Sequence, residues 1–158
     1  MNKSLASAVL AASLCTISFA QDGMFGAGVS IGNDRANLRM PIKINDSFRV
    51  EPELGISYYD NDGIKNTGLQ IGAGVYLLNP VSSDINLYYG GKALVGYQKN
   101  EDKNTDNSDT QFIIGGAAGA EYMLNPQFSI GAEAGIYLGI GDSTTFDTKG
   151  EAILRYYF

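Results

Sequence analysis

The residues best suited to chemistry in this sequence are charged side chains that recur at every second position. Glu51 and Glu53 are separated by one residue, so on an extended strand both carboxylates would face the same side. A pair of carboxylates can act as general acid and general base in a hydrolase. Arg49 would share that side, however, and further arginines and lysines are expected around the same space. Salt bridges therefore explain the pair more simply than catalysis does.

The other residue types also argue against an enzyme or a metal site. The sequence contains no histidine and a single cysteine, Cys15, and a serine or aspartate alone has no base to activate it at neutral pH. The segment Asp60-Asn61-Asp62-Gly63 resembles the start of a calcium loop but lacks the later ligands and the closing glutamate. We expect a solvated turn there. The sequence predicts no catalytic residue, no metal site and no cofactor.

Apolar and polar residues alternate along most of the chain, which is the pattern of strands with two different faces. From Phe48 to Tyr59, for example, the apolar side chains occupy the even positions and the charged ones occupy odd positions. The alternation predicts an all-β fold, an eight-stranded antiparallel up-and-down transmembrane β-barrel. The eight predicted strands lie at about 24–32, 36–44, 48–59, 67–78, 84–98, 111–124, 128–140 and 146–158.

The predicted connectors differ in length in an alternating way. Short connectors are expected at 45–47, 79–83 and 125–127. Longer polar connectors are expected at 60–66, 99–110 and 141–145, and only the first connector, near 32–35, departs from the alternation. This asymmetry is typical of an outer-membrane barrel. The segment 99–109 is polar enough to be predicted mobile, and it is the expected place of contact with an extracellular ligand.

The charged face of the strands is predicted to line the inside of the barrel. A sheet that spans a bilayer must close, because each unpaired backbone group in hydrocarbon costs several kcal/mol. An eight-stranded barrel is narrow enough to be filled by its own side chains. We therefore predict a lumen ion network of six cations and six carboxylates that plugs the barrel. Its members are Arg39, Lys43, Arg49, Glu51, Glu53, Lys92, Glu121, Glu133, Asp147, Lys149, Glu151 and Arg155.

The three-residue turn at 45–47 predicts how the strands on its two sides pair. In that register Arg39 faces Glu53, which is a favourable pair. Lys43 faces Arg49, and this like-charged pair needs a carboxylate from a neighbour, for which Glu51 is the nearest candidate. The turn therefore predicts both the register and one local repulsion within the interior.

Glycine, proline and aromatic residues complete the predicted interior and surface. Glycines fall on the inward side of most strands, which leaves room for rings such as Tyr76 and Tyr137. Pro41 and Pro52 lack a backbone donor, so a local bulge or an unpaired position is expected there. Outward aromatic residues near strand ends predict two interfacial girdles. They are Phe48, Tyr122, Phe128, Tyr156 and Phe158 at one end, and Tyr58, Tyr97, Phe112 and Phe146 at the other.

The N-terminal residues 1–20 have the pattern of a cleaved secretory signal peptide. Lys3 gives the positive start, an apolar stretch follows, and Ser18-Phe19-Ala20 has the small-x-small form of a cleavage site. The apolar stretch is too short to span a bilayer as a helix, which needs about 20 residues. Cleavage leaves a single domain at 21–158 with ten basic and seventeen acidic residues, so nucleic acid is not an expected partner.

Three segments resemble the OmpA/OmpX-type outer-membrane β-barrel superfamily, often labelled porin family. They are Glu51-Pro52-Glu53-Leu54-Gly55, Ala120-Glu121-Tyr122-Met123-Leu124-Asn125-Pro126 and Arg155-Tyr156-Tyr157-Phe158. The resemblance implies insertion by the barrel-assembly machinery, which reads the last strand; here Leu154, Tyr156 and Phe158 would form that assembly signal. It also implies contact with outer-membrane lipid and lipopolysaccharide. Full-length OmpA proteins continue beyond the barrel, so we expect no peptidoglycan-binding module here.

These observations leave three hypotheses for function. The first is a monomeric barrel of the Gram-negative outer membrane with a filled lumen and a structural or surface-interaction role. The second is a narrow porin-like channel for ions or small solutes. The third is a soluble periplasmic barrel of lipocalin type, which would place its apolar side chains inward. Enzymes on similar barrels are understood to need a histidine, and the sequence has none.

Overall fold

The structure, a computed structural model, describes residues 24–32, 35–61, 64–102 and 105–158. Within them the chain forms nine strands and, by the alternation noted above, each strand has one apolar and one polar face. The strands are β1 (Gly26–Gly32), β2 (Arg35–Arg39), β3 (Ile42–Asn45), β4 (Phe48–Asn61), β5 (Ile64–Pro80), β6 (Ile85–Asp102), β7 (Thr105–Met123), β8 (Phe128–Ile140) and β9 (Thr144–Tyr157). Among the described residues, no helix is long and apolar enough to cross a bilayer.

The nine strands close into an antiparallel barrel with eight strand positions. Each strand from β4 to β9 pairs with its neighbour in sequence, β9 pairs with β1, and β1 pairs with β2. The ring is completed because β2 and β3 both pair with β4 and together occupy one strand position. Closure gives each strand hydrogen-bonded neighbours on both sides, and for β3 the second neighbour is the segment 24–25 that precedes β1. The predicted eight-stranded antiparallel barrel is therefore confirmed.

Prolines explain why one strand position is divided into β2 and β3. The register continues across the break: Leu38 pairs with Leu54, and Ile42, four residues later, pairs with Val50, four residues earlier. Met40 donates to the carbonyl of Pro52 (2.9 Å), and Pro52 has no N–H to return that bond. Pro41 likewise accepts from Gly26 (2.9 Å) without donating. The predicted interruption is confirmed at residues 40 and 41, whereas Pro52 itself remains paired with Ala73 within the β4 and β5 ladder.

Connector lengths differ from the prediction at one end of the barrel. We call this the hairpin end, where β4 and β5 are joined by residues 62–63 and β6 and β7 by residues 103–104. The prediction of a mobile loop at 99–109 is wrong. The backbone of this segment continues the hydrogen-bonded ladder between β6 and β7, with Lys99 opposite Ser108 and Asp102 opposite Thr105. Polar composition suggested a loop, but strand pairing needs only backbone partners once a hairpin has formed. The predicted connector 60–66 is shorter for the same reason.

The opposite end of the barrel, which we call the turn end, carries short connectors as predicted. Asp46 and Ser47 join β3 to β4, and residues 81–84 and 124–127 join the next two hairpins. Side chains close two of these turns, since the Asn45 Oδ1 accepts from the Ser47 N–H (2.9 Å) and the Asn125 Oδ1 accepts from the Phe128 N–H (2.8 Å). The last residues of β9 lie at this end too.

The two faces of the sheet are distributed as the alternation predicts. Large apolar side chains lie on the outside, with Ile71 60% and Ile136 54% exposed, while the inside holds buried arginines, glutamates and tyrosines. A lipocalin-type barrel requires the reverse arrangement, so that alternative is wrong. Outward aromatic residues occupy both ends, including Tyr58 and Phe146 near the hairpin end and Tyr122 and Tyr156 near the turn end.

Some sequence-based predictions fall on residues outside the described ranges. The signal peptide at 1–20 and its cleavage site lie there, as do Asp62 and Gly63 of the calcium-like segment. These remain predictions.

Candidate functional site

Arg39 lies at the centre of the polar interior and joins strands from opposite sides of the barrel. It projects from β2, and its guanidinium lies 3.2 Å from Glu51 Oε1 on β4 and 3.2 Å from Glu133 Oε2 on β8. It also pairs with Glu151 on β9 and lies 3.7 Å from Glu53. The residue is only 1% exposed. A single buried cation on β2 therefore joins β4 to β8 and β9 across the lumen.

Lys92 extends this centre to the far side of the barrel. It projects from β6, and its ammonium lies 3.0 Å from Glu53 Oε2 and 2.7 Å from Glu133 Oε1. Arg39 also donates two hydrogen bonds to Glu133, each 3.2 Å long. Glu133 is thus shared by two cations from different strands, which fixes its carboxylate in the middle of the lumen.

A second group of charges closes the lumen nearer the turn end. Arg49 donates to Glu121 Oε2 (2.9 Å) and lies 3.0 Å from Glu51 Oε2. Arg155 donates to both oxygens of Glu51, at 3.0 and 3.2 Å. Glu121 also accepts from the Tyr157 hydroxyl (2.7 Å) and from Ser129 (2.5 Å). Glu51 therefore connects this group to Arg39, and the two groups form one continuous network.

The buried part of the network is electrically balanced. It contains four cations and four carboxylates, none more than 5% exposed: Arg39, Arg49, Lys92 and Arg155 with Glu51, Glu53, Glu121 and Glu133. Charges removed from water are costly unless each is paired and hydrogen-bonded. The one-to-one ratio pairs each buried cation with at least one carboxylate, although some guanidinium nitrogens of Arg49 and Arg155 have no hydrogen-bond partner.

Tyrosine rings pack against the network from the remaining strands. Arg49 lies 5.4 Å from the ring centroid of Tyr76 and 4.6 Å from that of Tyr88, and Arg155 lies 5.3 Å from Tyr88. The two rings meet edge to face at 5.3 Å. Cations over aromatic faces gain electrostatic energy in a site without water. The rings therefore fill the lumen and stabilise its charges together.

The other four predicted members of the network lie toward the two ends of the barrel. Lys43 is half-buried at the turn end, with its ammonium 4.2 Å from the ring centroid of Tyr157. The expectation that Glu51 would serve Lys43 differs from the structure, in which Glu51 contacts Arg39, Arg49 and Arg155. The register itself is confirmed, since Arg39 pairs with Glu53 and Lys43 with Arg49.

Lys149, Glu151 and Asp147 lie toward the hairpin end on β9. Lys149 and Glu151 are half-buried, and Asp147 faces inward opposite Tyr137 but is exposed at the mouth. Eight of the twelve predicted members are therefore fully buried, and the other four face the interior closer to its two ends. The reason is geometric, because alternation assigns a face but not a depth along the axis, and residues near a barrel end reach water.

Several interior residues were not predicted from the sequence. Arg35 and Asn37 precede Arg39 at two-residue intervals on β2, so the same alternation would have identified them. Asn37 donates to Ser30 Oγ (3.2 Å) and to Glu151 Oε1 (3.4 Å), and Arg39 Nε donates to Ser30 Oγ (3.1 Å). Small polar residues at inward positions therefore add hydrogen bonds to the network.

Two neighbouring cavities lie between the network and the hairpin end. The inner one has a volume of about 60 Å³ and the outer one about 80 Å³. Arg35, Tyr137 and Lys149 line both cavities, so these residues lie at the boundary between them. Lys92 and Glu53 form part of the inner wall, which places the network at its base.

Glycines beside the interior tyrosines predict a steric effect. At Gly119 an added Cβ would collide with the Tyr88 ring and would lie 2.6 Å from the Ala132 carbonyl oxygen. We expect Gly119→Val to lower the free energy of unfolding by about 1–3 kcal/mol, because the core has no room for it. Urea unfolding in lipid vesicles would measure this. Gly116→Val on the same strand is the control, since its Cβ would meet no atom closer than 3.8 Å; equal unfolding midpoints would contradict the packing argument.

The last strand presents an apolar outer face that ends at the barrel seam. Leu154, Tyr156 and Phe158 all face outward and are 44%, 41% and 48% exposed. The Tyr156 and Phe158 rings meet edge to face at 5.3 Å. Phe158 donates its N–H to the Phe25 carbonyl (2.9 Å), which extends the pairing between β9 and the chain preceding β1.

Comparison with known families agrees with this architecture. The profile of the Outer membrane protein beta-barrel domain matches residues 6–153, nearly the whole chain. The chain belongs to this family. Membership accounts for the apolar exterior and the polar, closed interior in one step, because members of an outer-membrane barrel family face lipid with the outside of the sheet. Among the described residues, no group of histidine, cysteine and acidic side chains could hold a metal ion.

Solved structures share the fold of this family member at low sequence identity. Neisserial surface protein A is 17% identical with a TM-score of 0.65, covering 85% of this chain and 94% of its own. The N-terminal β-barrel domain of Pseudomonas aeruginosa OprF is 12% identical with a TM-score of 0.58, covering 86% and 100%. Ail, the attachment invasion locus protein of Yersinia pestis, is 16% identical with a TM-score of 0.52, covering 84% and 92%. No curated protein sequence matches the chain.

Proposed function

We propose that this protein is a monomeric integral barrel of the Gram-negative outer membrane whose role is structural or surface-interacting, with a lumen closed by its own side chains. The observation that carries the proposal is the network centred on Arg39, which joins β2, β4, β8 and β9 across the interior. Lys92 adds β6, and Arg49 and Arg155 add β7. Charges held by several partners from opposite walls leave little freedom to move aside for a solute.

The absence of histidine supports a non-enzymatic role. The carboxylates that could serve as an acid and base pair, Glu51 and Glu53, each contact buried cations. A carboxylate held in this way is not free to accept and return a proton during a reaction. We therefore propose no catalytic activity and no cofactor for this barrel.

The alternative function, a narrow channel, is separated from the proposal by planar-bilayer recording. We expect purified, folded protein to give no steady conductance, because the four buried cations and four buried carboxylates close the lumen. A general porin serves as the insertion control, and resistance to unfolding on a gel without boiling confirms that the sample is folded. Steady current that is abolished by substitutions of Arg39 or Lys92 would overturn the closed-lumen proposal and establish the channel.

The surroundings of the barrel follow from its outer face. We propose that the apolar band contacts outer-membrane lipid, that lipopolysaccharide contacts the hairpin end, and that the extended hairpin of β6 and β7 contacts an extracellular ligand. This hairpin is acidic and polar where it leaves the barrel. We further propose export through cleavage of residues 1–20 and insertion by the barrel-assembly machinery.

Deletion of Phe158 tests the assembly proposal. The deletion removes the hydrogen bond to Phe25 at the seam and the ring that packs on Tyr156. We expect a several-fold drop in the amount of folded protein in the outer-membrane fraction. Asp106→Asn, at the hairpin end, is the control and should leave that amount unchanged. Equal surface levels of the two variants would count against a role of the terminal strand in assembly.

A further inference from the structure

Charges of both signs line the two cavities at the hairpin end. The outer cavity is lined by two cations, Arg35 and Lys149, and two carboxylates, Asp109 and Asp147. The inner cavity is lined by three cations, Arg35, Lys149 and Lys92, and two carboxylates, Glu53 and Glu151. A solute that carries both a positive and a negative group can pair with both kinds of lining residue.

Two buried amide groups show that the inner cavity can accept hydrogen bonds. Asn37 and Gln70 both line it and are 5% and 3% exposed. Within the described part of the chain, Asn37 Oδ1 and Gln70 Oε1 accept no hydrogen bond. Buried polar atoms are normally satisfied, and leaving one without a partner costs free energy. Six other buried side-chain atoms of the described interior also have no hydrogen-bond partner, but these two oxygens are acceptors in the wall of a cavity that a donor can enter.

The positions of the charged groups along the axis give the site a direction. On β2, Arg35 is one inward position nearer the hairpin end than Asn37. On β9, Lys149 is likewise one inward position nearer that end than Glu151. Asn37 and Glu151 thus lie deeper than Arg35 and Lys149. Gln70 lies at the level of Asn37, since both pair with Gly55. Lys92, which is also deep, is already paired with Glu53 and Glu133.

We propose that this vestibule binds a small zwitterion that carries an ammonium and a carboxylate a few bonds apart. Its ammonium donates to Asn37 Oδ1 and Gln70 Oε1, and its carboxylate lies near Arg35 and Lys149. The inner cavity, at about 60 Å³, has room for roughly four to six water-sized groups. That is the size of the smallest amino acids, and ligands of this size are expected to bind with a Kd on the order of 1 mM.

The test is a titration of the folded, isotope-labelled barrel in nanodiscs, followed by NMR of the side-chain amides. Glycine is the probe, and acetate and methylamine each supply one end of it. We expect saturable shifts of the Asn37 and Gln70 amide signals with glycine, and binding about tenfold weaker for each single-ended probe. Equal affinity for glycine and acetate would overturn the proposal in favour of an anion site. Equal affinity for glycine and methylamine would reduce it to a cation site, and the lack of a saturable shift would show that no site exists.

Variants locate the site independently of the probe comparison. Gln70→Leu removes a deep acceptor and Arg35→Gln removes a charge near the mouth, and each should weaken glycine binding about tenfold. Gln127→Leu, in an exposed turn at the other end, is the control and should bind as the unmodified protein does. Unchanged binding in both site variants would place the glycine elsewhere. Since the probe comparison uses the unmodified barrel, it stands even if a variant fails to fold.

Discussion

Glu51→Leu is expected to destabilise the folded barrel by about 3–5 kcal/mol, the loss typical of breaking a buried ion pair from one side. Glu51 lies 3.2 Å from Arg39, 3.0 Å from Arg49 and 3.0 Å from Arg155. Its removal leaves three arginines, each at most 1% exposed, sharing the remaining carboxylates. Leucine fills similar space, so the loss should come from charge and hydrogen bonding. Urea unfolding from lipid vesicles, read by gel mobility without boiling, measures it.

Two further variants show whether the effect depends on burial of the charge. Asp84→Leu also exchanges a carboxylate for leucine, but in an exposed turn, where we expect a change within about 0.5 kcal/mol. Glu51→Gln retains hydrogen-bonding atoms and should fall between the two. If Glu51→Leu were no more harmful than Asp84→Leu, the network would not be a major source of stability in this barrel.

Ile71→Arg is expected to cost about 2–4 kcal/mol, because it places a charge on the lipid face near the middle of the membrane. Ile71 is 60% exposed on β5, four residues from the level of Tyr58, which pairs with Thr67, and six from that of Phe48, which pairs with Leu77. Arginine there cannot reach either interface easily. The free energy of unfolding in vesicles and the yield of folded protein should both fall.

Val81→Arg is a closely matched control for that prediction. Val81 is 61% exposed and apolar, but it lies in the turn after β5, outside the expected hydrocarbon band. There we expect a cost of about 0–1 kcal/mol. Equal losses for both variants would mean that the outer face at Ile71 does not contact hydrocarbon, which would contradict the transmembrane orientation.

Much of this fold could be predicted from the sequence because two of its determinants are local. Alternation assigns each residue to a face, and it correctly separated Glu51 from Pro52 and Arg155 from Tyr156. The turn at 45–47 sets a register, and it correctly placed Arg39 opposite Glu53. Both signals operate over a few residues, so a single sequence contains them in full.

The parts that were not predicted depend on distant contacts. The pairing of Glu133 with Arg39 and Lys92 joins β8 to β2 and β6, and nothing local to these residues indicates it. The depth of Asp147 depends on where the barrel ends rather than on its neighbours in sequence. The segment 99–109 was misread because polar composition resembles a loop, although its backbone pairs as a hairpin.

The route by which the charges become buried has a consequence for how this chain is made. Arg39 is synthesised early, but its partner Glu133 lies 94 residues later and Glu151 lies 112 residues later. We therefore expect the guanidinium to stay hydrated until β8 and β9 have paired, so that its dehydration coincides with closure of the barrel. A chain truncated before β9 would keep solvated ions and an open strand edge, so we expect it to resist full partitioning into lipid. Burial of these charges therefore requires the complete ring, because only a chain that includes β9 can exclude water from the interior.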